Sequence, residues 1–393
     1  MINRRVFVQS LGWGTVGGLT LAPRAGAAPQ QTAAARRQAI PADAIRIGSN
    51  ENPNGPSAAA ADAARQAILE GHRYARAVSG RLLDAVAAAH RVEPAQVLLS
   101  GGSGDLLRAA VRAFTARDRA LVTGAPSYEQ PVRIAQQVGA PIHEVALTGD
   151  LKLDLGAMHA RSGGAGLVYI CNPNNPTSTA VPSARVQELI AELARTSPQT
   201  MVLVDEAYFE YVDEPGHATL IPLVAKYPSL IIARTFSKIH GMAGMRVGYA
   251  IGQEKALTAM RDQHSGSGIS VMSFAAAAAS FGDLTTLQHN QVRNRETRAF
   301  TTAVFSDAGY RVAASQANFV MVDVRRDVRP FIETLREKGV YIGRPFPPLT
   351  NWARISVGTQ GEMAKALPVI LDVLKAPPTT AFRALPAVYA SWC

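Results

Sequence analysis

The sequence predicts an α/β protein with a large domain, whose mostly parallel sheet is covered by helices, and a smaller α+β C-terminal domain. From about residue 58, helical segments alternate with short apolar, β-branched strands, an order typical of parallel sheets. After residue 282 a long helix and a few strands replace this alternation. The length of 393 residues also exceeds what one simple core usually holds.

The strands of the large domain each end in a polar or glycine-rich stretch. Apolar runs predict strands at 97–100, 119–124, 166–170, 201–208, 230–235 and 247–252. Helical patterns lie between them, at 58–70, 81–90, 105–116, 129–139 and 183–195, with Ser183 as a predicted N-cap. Ligands bind at the carboxyl ends of such strands, so one site is expected from GGSG (101–104), CNPNNPTS (171–178), DEAY (205–208) and TFSK (235–238).

The remaining segments divide the chain into further regions. Helices are predicted at about 284–307, 328–338 and 361–375, with strands at 317–324 and 353–359. The predicted regions are a leader (1–27), a linker (28–43), an N-terminal arm (44–70), the large domain (71–282), the small domain (283–375) and a loose tail (376–393).

The first 40 residues are basic and contain no acidic residue. Arg4 and Arg5 precede a short apolar, glycine-rich run and the small residues AGA (25–27), which together resemble a twin-arginine export signal. That resemblance implies a periplasmic or exported protein without a stable membrane anchor, because the run is too short to span a bilayer. The alternative is a basic leader on a cytoplasmic protein.

The net charge of +10 comes partly from this leader, and the remainder is only mildly basic. No nucleic-acid partner is therefore expected. The two cysteines, Cys171 and Cys393, show neither metal-ligand spacing nor a disulfide framework, so no metal site is predicted.

The strand ends supply an amine, a guanidinium and a carboxylate. A lysine that forms a Schiff base must be neutral part of the time, and burial and a neighbouring cation both lower its pKa. Lys238 follows an apolar strand, and Arg246 offers a planar donor fork that suits a phosphate. Asp205 can keep a pyridine nitrogen protonated, so the set describes pyridoxal phosphate. Further donors for the phosphate are the GGSG turn, Ser103, Thr235 and Ser237.

These motifs also carry a resemblance. TFSKIHGMAGMRVG (235–248), VDEAY (204–208), CNPNNPTS and NENPNGPS (50–57) resemble the pyridoxal-phosphate enzymes of the aspartate aminotransferase fold (fold type I). The most similar group is the histidinol-phosphate aminotransferase family, over residues 44–375. The resemblance implies an aminotransferase that acts on an amino acid and a 2-oxo acid.

The resemblance implies a role for each matching residue. Lys238 would hold the cofactor covalently and then move the proton at the substrate Cα, while Asp205 would pair with the pyridine nitrogen. Tyr128 would stack on the ring, and Tyr208 and Asn175 would hydrogen-bond its phenolic oxygen. The residues that would hold the phosphate are Ser103, Gly104, Thr235, Ser237 and Arg246.

Three further residues are implied in substrate binding and assembly. Arg354, in ARISVGT (353–359), would clamp the substrate carboxylate through two parallel hydrogen bonds. Asn52 would belong to a loop that closes on the substrate. Tyr74 would reach the cofactor phosphate of a second subunit, which implies a homodimer with shared sites.

The departures from the family pattern concern the substrate side chain. Asn54 stands where the family commonly has a tyrosine, and Asp323 where an arginine of the substrate-phosphate site would fall. Arg344 lies one residue later than the family's arginine, Ser178 replaces a glycine, and His240 is expected as a polar lining residue. The cofactor residues are intact while the residues expected around the substrate side chain are altered. We therefore expect an aminotransferase for a different amino donor, one with an apolar or aromatic side chain.

Two other classes of function are left open by the residues. A lyase or decarboxylase would use the same cofactor and the same lysine, so the cofactor residues alone do not separate these reactions. A non-catalytic pyridoxal-phosphate-binding module is the other alternative, as in regulators that fuse this fold to a DNA-binding domain. No helix-turn-helix pattern precedes residue 44, which disfavours that alternative.

Overall fold

A computed structural model describes residues 40–264 and 268–375. The leader, most of the linker and the tail lie outside the described residues, so the twin-arginine interpretation stays a prediction. The described residues from Asp43 onward, up to residue 375, form one compact unit. Within the described part of the chain, no helix is long and apolar enough to cross a membrane.

The described residues contain a central sheet and two small strand pairs. The strands are β1 (Ile45–Ile47), β2 (Val97–Ser100), β3 (Leu121–Ala125), β4 (Ile142–Ala146), β5 (Leu167–Cys171), β6 (Met201–Asp205), β7 (Leu230–Thr235), β8 (Gly248–Gly252), β9 (Phe319–Asp323), β10 (Val340–Ile342) and β11 (Trp352–Ser356).

The helices of the described residues surround these strands. They are α1 (Ala58–Ala67), α2 (Arg76–His90), α3 (Ser103–Phe114), α4 (Gln130–Val138), α5 (Leu155–Ala160), α6 (Ser183–Thr196), α7 (Glu254–Asp262), α8 (Val271–Gly282), α9 (Leu284–Asp307), α10 (Val328–Glu337) and α11 (Gln360–Leu374).

The central sheet has seven strands in the order β2-β8-β7-β6-β5-β3-β4. Neighbouring strands pair in parallel, except that β8 runs antiparallel to both β7 and β2. The mostly parallel sheet confirms the predicted fold class. The segment 236–247 between β7 and β8 contains no α-helix, and parallel strands usually need a helical crossover, so β8 returns antiparallel.

Helices on both faces explain the continuous apolar runs of the strands. Successive side chains of a strand point to opposite faces, so β5 sends Val168 and Ile170 into one core and Leu167 and Tyr169 into the other. All four side chains are fully buried. The sheet therefore holds the carboxyl ends of β5, β6 and β7 at one rigid edge.

The C-terminal part builds a separate apolar cluster. β9 pairs antiparallel with β11, and β1 pairs in parallel with β10, so the start of the predicted N-terminal arm joins the C-terminal strands. Helices α9, α10 and α11 pack over these strands and bury Val304, Phe331 and Leu367 among others. The proposed boundary between 282 and 283 stays a prediction.

One local prediction is wrong. Ser183 is the first residue of α6 rather than its N-cap, which is Pro182. The Ser183 hydroxyl instead donates to Ala218 O at 2.7 Å. The Ser183 hydroxyl therefore hydrogen-bonds to a loop carbonyl instead of capping the N-terminus of α6.

Candidate active site

A cavity of about 580 Å³ lies at the carboxyl ends of β5, β6 and β7. The predicted site residues that line it are Ser103, Gly104, Tyr128, Asn175, Asp205, Tyr208, Thr235, Ser237, Lys238, Arg246 and Arg354. These residues come from segments far apart in the sequence. The structure therefore brings together the strand ends that the sequence analysis combined into one site.

Lys238 lies just beyond β7, where the chain leaves the sheet. Its Nζ donates to the backbone carbonyl of Asn50 at 3.0 Å and lies 5.4 Å from the centroid of the Tyr208 ring. Burial, followed by the positive charge of Arg354, lowers the pKa of Lys238 to about 8. About a tenth of this amine is then neutral at pH 7, far more than for an ordinary lysine, and the neutral form is the one that acts as a nucleophile.

Asp205 ends β6 and is 3% exposed. Its Oδ2 accepts a hydrogen bond from the Tyr169 hydroxyl at 3.0 Å, and its Oδ1 accepts one from Ala207 N at 3.2 Å. Burial raises the pKa of Asp205 to about 6, although both hydrogen bonds act in the opposite direction. A cationic partner in the cavity would remove the cost of keeping this carboxylate charged.

The N-terminus of α3 and Arg246 form an anion-binding corner of the cavity. Arg246 has a left-handed backbone (φ 55°), and its Nη1 donates to the Ser237 hydroxyl at 3.2 Å. Gly102, with φ +99°, precedes α3, and a side chain there would collide with the Arg246 guanidinium. The corner thus presents a guanidinium, hydroxyls and helix N–H groups to one point, a set that suits a phosphate.

Arg354 lies on β11, in the C-terminal part of the chain, and lines the cavity. Its Nη1 donates to Asn175 Oδ1 at 2.7 Å, and its Nη2 donates to Gly48 O at 2.8 Å. Its Nε is buried and has no hydrogen-bond partner within the described residues. Burial lowers the pKa of Arg354 to about 10. Because Arg354 lines the cavity, its guanidinium is the candidate group for binding a substrate carboxylate.

Charged and aromatic side chains surround the mouth of the cavity. Glu129 forms ion pairs with Arg344 and, at 3.2 Å, with Arg133. The Phe346 ring lies near two guanidiniums, 4.3 Å from that of Arg344 and 4.5 Å from that of Arg354. Arg344 thus reaches the cavity although it stands one residue later than the family pattern.

A buried ion network supports the edge of the sheet behind Asp205. Arg234, on β7, donates to Glu206 Oε2 through Nε at 2.9 Å and Nη2 at 2.7 Å, and its Nη1 donates to Glu210 at 2.8 Å. The side chains of Arg234 and Glu206 are 7% and 4% exposed. The network ties the end of β6 to β7 and so fixes Asp205 relative to Lys238.

Two predicted site residues do not line this cavity. The Asn52 side chain holds its own loop, because Nδ2 donates to Ile239 O at 2.8 Å and Oδ1 accepts from Asn54. Tyr74 is 95% exposed on the surface. The catalytic and binding roles assigned from the resemblance stay predictions.

The structure also corrects the expectation for His240. His240 is buried in the core rather than lining the cavity, with Nδ1 2.8 Å from the Ser280 hydroxyl and its ring centroid 4.5 Å from that of Phe236. Burial lowers the pKa of His240 to about 3, so the ring is neutral. Asp323 likewise lies outside the cavity, where Oδ1 accepts from Asn351 Nδ2 at 2.7 Å.

Two buried residues of the site were missed in the sequence. Asn50, whose carbonyl accepts the Lys238 amine, was treated only as part of a loop motif. Tyr169 was assigned only to an apolar strand, but its hydroxyl contacts Asp205. Alternation along β5 places Tyr169 on the same face as Cys171, and Cys171 pairs with Asp205 in the neighbouring strand. This alternation was the available signal for Tyr169. Nothing in the sequence marked the carbonyl of Asn50.

The comparisons with known proteins agree with this geometry. Residues 42–370 match the family model for aminotransferase class I and II. The chain belongs to this family. A histidinol-phosphate aminotransferase of Symbiobacterium thermophilum is 35% identical over 323 residues, which cover 81% of this chain and 87% of the relative.

A second sequence relative and a solved structure are also similar to this class I and II aminotransferase. A histidinol-phosphate aminotransferase of Bacillus velezensis is 33% identical over 84% of this chain and 91% of its own length. The crystal structure of histidinol-phosphate aminotransferase from Sinorhizobium meliloti in complex with pyridoxal 5′-phosphate has a TM-score of 0.78 at 28% identity, covering 84% of this chain and 91% of that one. The chain is thus a pyridoxal-phosphate-dependent aminotransferase, as the sequence analysis predicted.

The residues of the cavity fit pyridoxal phosphate. The partly buried Lys238 amine, the buried Asp205 carboxylate and the corner around Arg246 match the cofactor's aldehyde, ring nitrogen and phosphate in chemistry. The Arg354 guanidinium, which also lines the cavity, offers a separate group for a substrate carboxylate. When bound, the cofactor supplies an aldehyde for the amino group and a protonated ring that withdraws electrons from the substrate Cα.

The charge of Arg354 predicts how the Lys238 amine titrates. An Arg354→Gln variant of the cofactor-free protein should raise the pKa of Lys238 above about 8, because it removes a cation that disfavours the ammonium form. Competitive acetylation between pH 6 and 11, read by mass spectrometry of the Lys238 peptide, measures this pKa. Arg344→Gln is the matched control, since the Arg344 charge is paired with Glu129. An unchanged midpoint in Arg354→Gln would contradict the electrostatic account.

Proposed function

We propose that this aminotransferase uses Lys238 as the catalytic base and takes its amino group from a donor other than histidinol phosphate. The observation that carries the catalytic assignment is the Lys238 amine, lowered in pKa and placed in one cavity with Asp205 and Arg246. The curated relatives support the reaction class rather than the donor.

The proposed roles follow from the position of each group. Lys238 would take the proton from the substrate Cα and pass it to the cofactor carbon that receives the amino group. Asp205 keeps the ring nitrogen protonated, and Arg246 with the α3 N-terminus holds the phosphate. Arg354 fixes the substrate carboxylate, so the Cα–H bond is held within reach of the Lys238 amine.

The donor proposal rests on the side-chain end of the site. Asn54, where the family commonly has a tyrosine, hydrogen-bonds to Asn52 and lies outside the cavity. Asp323, where an arginine would fall, also lies outside the cavity, so this position supplies no cation for a substrate phosphate. Phe346, beside Arg354, offers an aromatic surface to the substrate. These features support a donor without a phosphate, with an apolar or aromatic side chain.

Amino-transfer assays with purified enzyme test this proposal. We expect aromatic or branched aliphatic L-amino acids and a 2-oxo acid to give the matching new amino and oxo acids, at a kcat/KM at least about tenfold above that of L-histidinol phosphate. Lys238→Ala should lose this turnover, and Lys255→Ala, on α7, is the control. Highest activity with L-histidinol phosphate would overturn the donor proposal alone. Release of ammonia or CO₂ without a new amino acid would overturn the reaction class.

A homodimer with shared sites forms the second part of the proposal. Ile68, Leu69 and Tyr74 are all strongly exposed within one short segment, with Leu69 at 78%. Clustered exposed apolar residues are typical of protein interfaces. Since Tyr74 does not line the cavity of its own chain, an interface here would let its hydroxyl reach the phosphate corner of the partner.

Sedimentation velocity tests the dimer. Wild-type enzyme should sediment at about twice the 41.7 kDa chain mass, whereas Leu69→Glu should shift the equilibrium towards monomer, because it places a charge in an apolar interface. Arg185→Glu, exposed on α6, is the control for a surface charge change. In the dimer, Tyr74→Phe should weaken cofactor binding by up to about tenfold through one lost hydrogen bond. A monomeric wild-type enzyme would contradict the shared site.

A further inference from the structure

Asn50 connects the cofactor and substrate sides of the cavity. It is 1% exposed and adopts a left-handed backbone conformation (φ 54°), which non-glycine residues seldom adopt and asparagine tolerates best. Residues held in this region cluster at functional sites, where the surrounding contacts fix them. The hydrogen bonds of Asn50 account for its conformation.

The backbone carbonyl of Asn50 is the acceptor of the Lys238 amine. Lys238 Nζ lies 3.0 Å from Asn50 O, and Asn318 Nδ2 donates to the same oxygen at 3.1 Å. The Asn318 amide also donates to Glu51 O at 3.2 Å. Asn318 thus fixes the direction of the carbonyl, and the carbonyl in turn fixes the amine.

The side chain and the backbone N–H of Asn50 contact Tyr208 and Ser356. Its Nδ2 donates to the Tyr208 hydroxyl at 3.3 Å. The Ser356 hydroxyl accepts from Asn50 N at 2.8 Å and donates to Asn50 Oδ1 at 3.0 Å. Ser356 lies two residues after Arg354 on β11, and Arg354 itself donates to Gly48 O. One short segment, 48–50, therefore contacts Lys238, Tyr208 and the strand of Arg354.

We propose that Asn50 is a positioning residue that sets the free Lys238 amine for proton transfer by aiming its carbonyl at Nζ. The proposal rests on the proposed role of Lys238 as the base. The left-handed backbone turns this carbonyl into the cavity, and the paired contacts with Ser356 hold the backbone in that conformation. Asn50 acts through Lys238 and Tyr208.

The electrostatics of Lys238 agree with this arrangement. The charged groups that face its amine are Arg354 and Arg246, which lower its pKa, and Glu51 and Asp205, which raise it. Burial disfavours the ammonium form of Lys238, whereas the fixed Asn50 carbonyl, as a hydrogen-bond acceptor, favours it. Loss of the Asn50 geometry should therefore lower the pKa of Lys238 and also let the amine move away from the substrate Cα.

An Asn50→Gly variant separates positioning from backbone strain, because glycine adopts the left-handed conformation freely and lacks every side-chain contact. In the cofactor-loaded enzyme we expect kcat to fall about tenfold, with KM within about twofold. The primary isotope effect on kcat with an α-deuterated amino donor should rise, because proton transfer becomes slower relative to other steps. In the cofactor-free protein, competitive acetylation should place the Lys238 pKa below the wild-type value of about 8.

Ser356→Ala is the second variant, since it removes the hydroxyl that holds Asn50 and leaves Asn50 in place. It should change the isotope effect and the Lys238 pKa in the same directions by smaller amounts, and it decides the outcome if Asn50→Gly does not fold. Wild-type values of both quantities in these variants would overturn the proposal. So would a loss of kcat that accompanies a lower melting temperature while the isotope effect and the pKa stay unchanged.

These outcomes are distinct from a failure of the proposed function. Turnover that survives in Lys238→Ala would show that the base is another group. Acetylation of the cofactor-free protein would still report whether Asn50 sets the Lys238 amine.

Discussion

The cost of partly burying the Lys238 amine near two guanidiniums is the constraint on which the site depends. Burial and the charges of Arg354 and Arg246 disfavour the ammonium form, whereas Asp205 and Glu51 favour it. The balance leaves a pKa of about 8, so the amine is available both as a nucleophile and as a base near neutral pH. A more exposed lysine would be almost fully protonated there.

The fold maintains this balance through the rigid edge of the parallel sheet. β6 and β7 are buried on both faces, and the Arg234 network joins them immediately behind the cavity. Removal of one partner from such a buried ion pair typically lowers the free energy of unfolding by about 3–5 kcal/mol. The network should therefore hold the ends of β6 and β7 in a fixed relative position. On the other side, β11 supplies Arg354, and segment 48–50 links that strand to Lys238. Cofactor and substrate groups thus come from separate elements joined by a few hydrogen bonds.

The sequence predicted the sheet and most of the cavity because each strand end carries its chemistry locally. Asp205 ends an apolar strand and Lys238 follows the next one, so the rule for parallel sheets brings these two together. Arg246 instead precedes β8. The antiparallel direction of β8 and the role of Ser183 depend on connections and loop contacts that leave little trace in a local pattern. His240 was placed wrongly because a polar residue in a catalytic motif can equally bond within the core, here to Ser280. Asn50 acts through a backbone carbonyl, which no residue type reveals.

The most direct test of the account is to locate the covalent link between enzyme and cofactor. Borohydride reduction of the purified, cofactor-loaded enzyme, followed by proteolysis and mass spectrometry, identifies the lysine that carries the pyridoxyl group. The account predicts a single modified lysine, Lys238, together with loss of activity on reduction. A modification at another lysine, or a protein that binds no pyridoxal phosphate when it is supplied in excess, would contradict it.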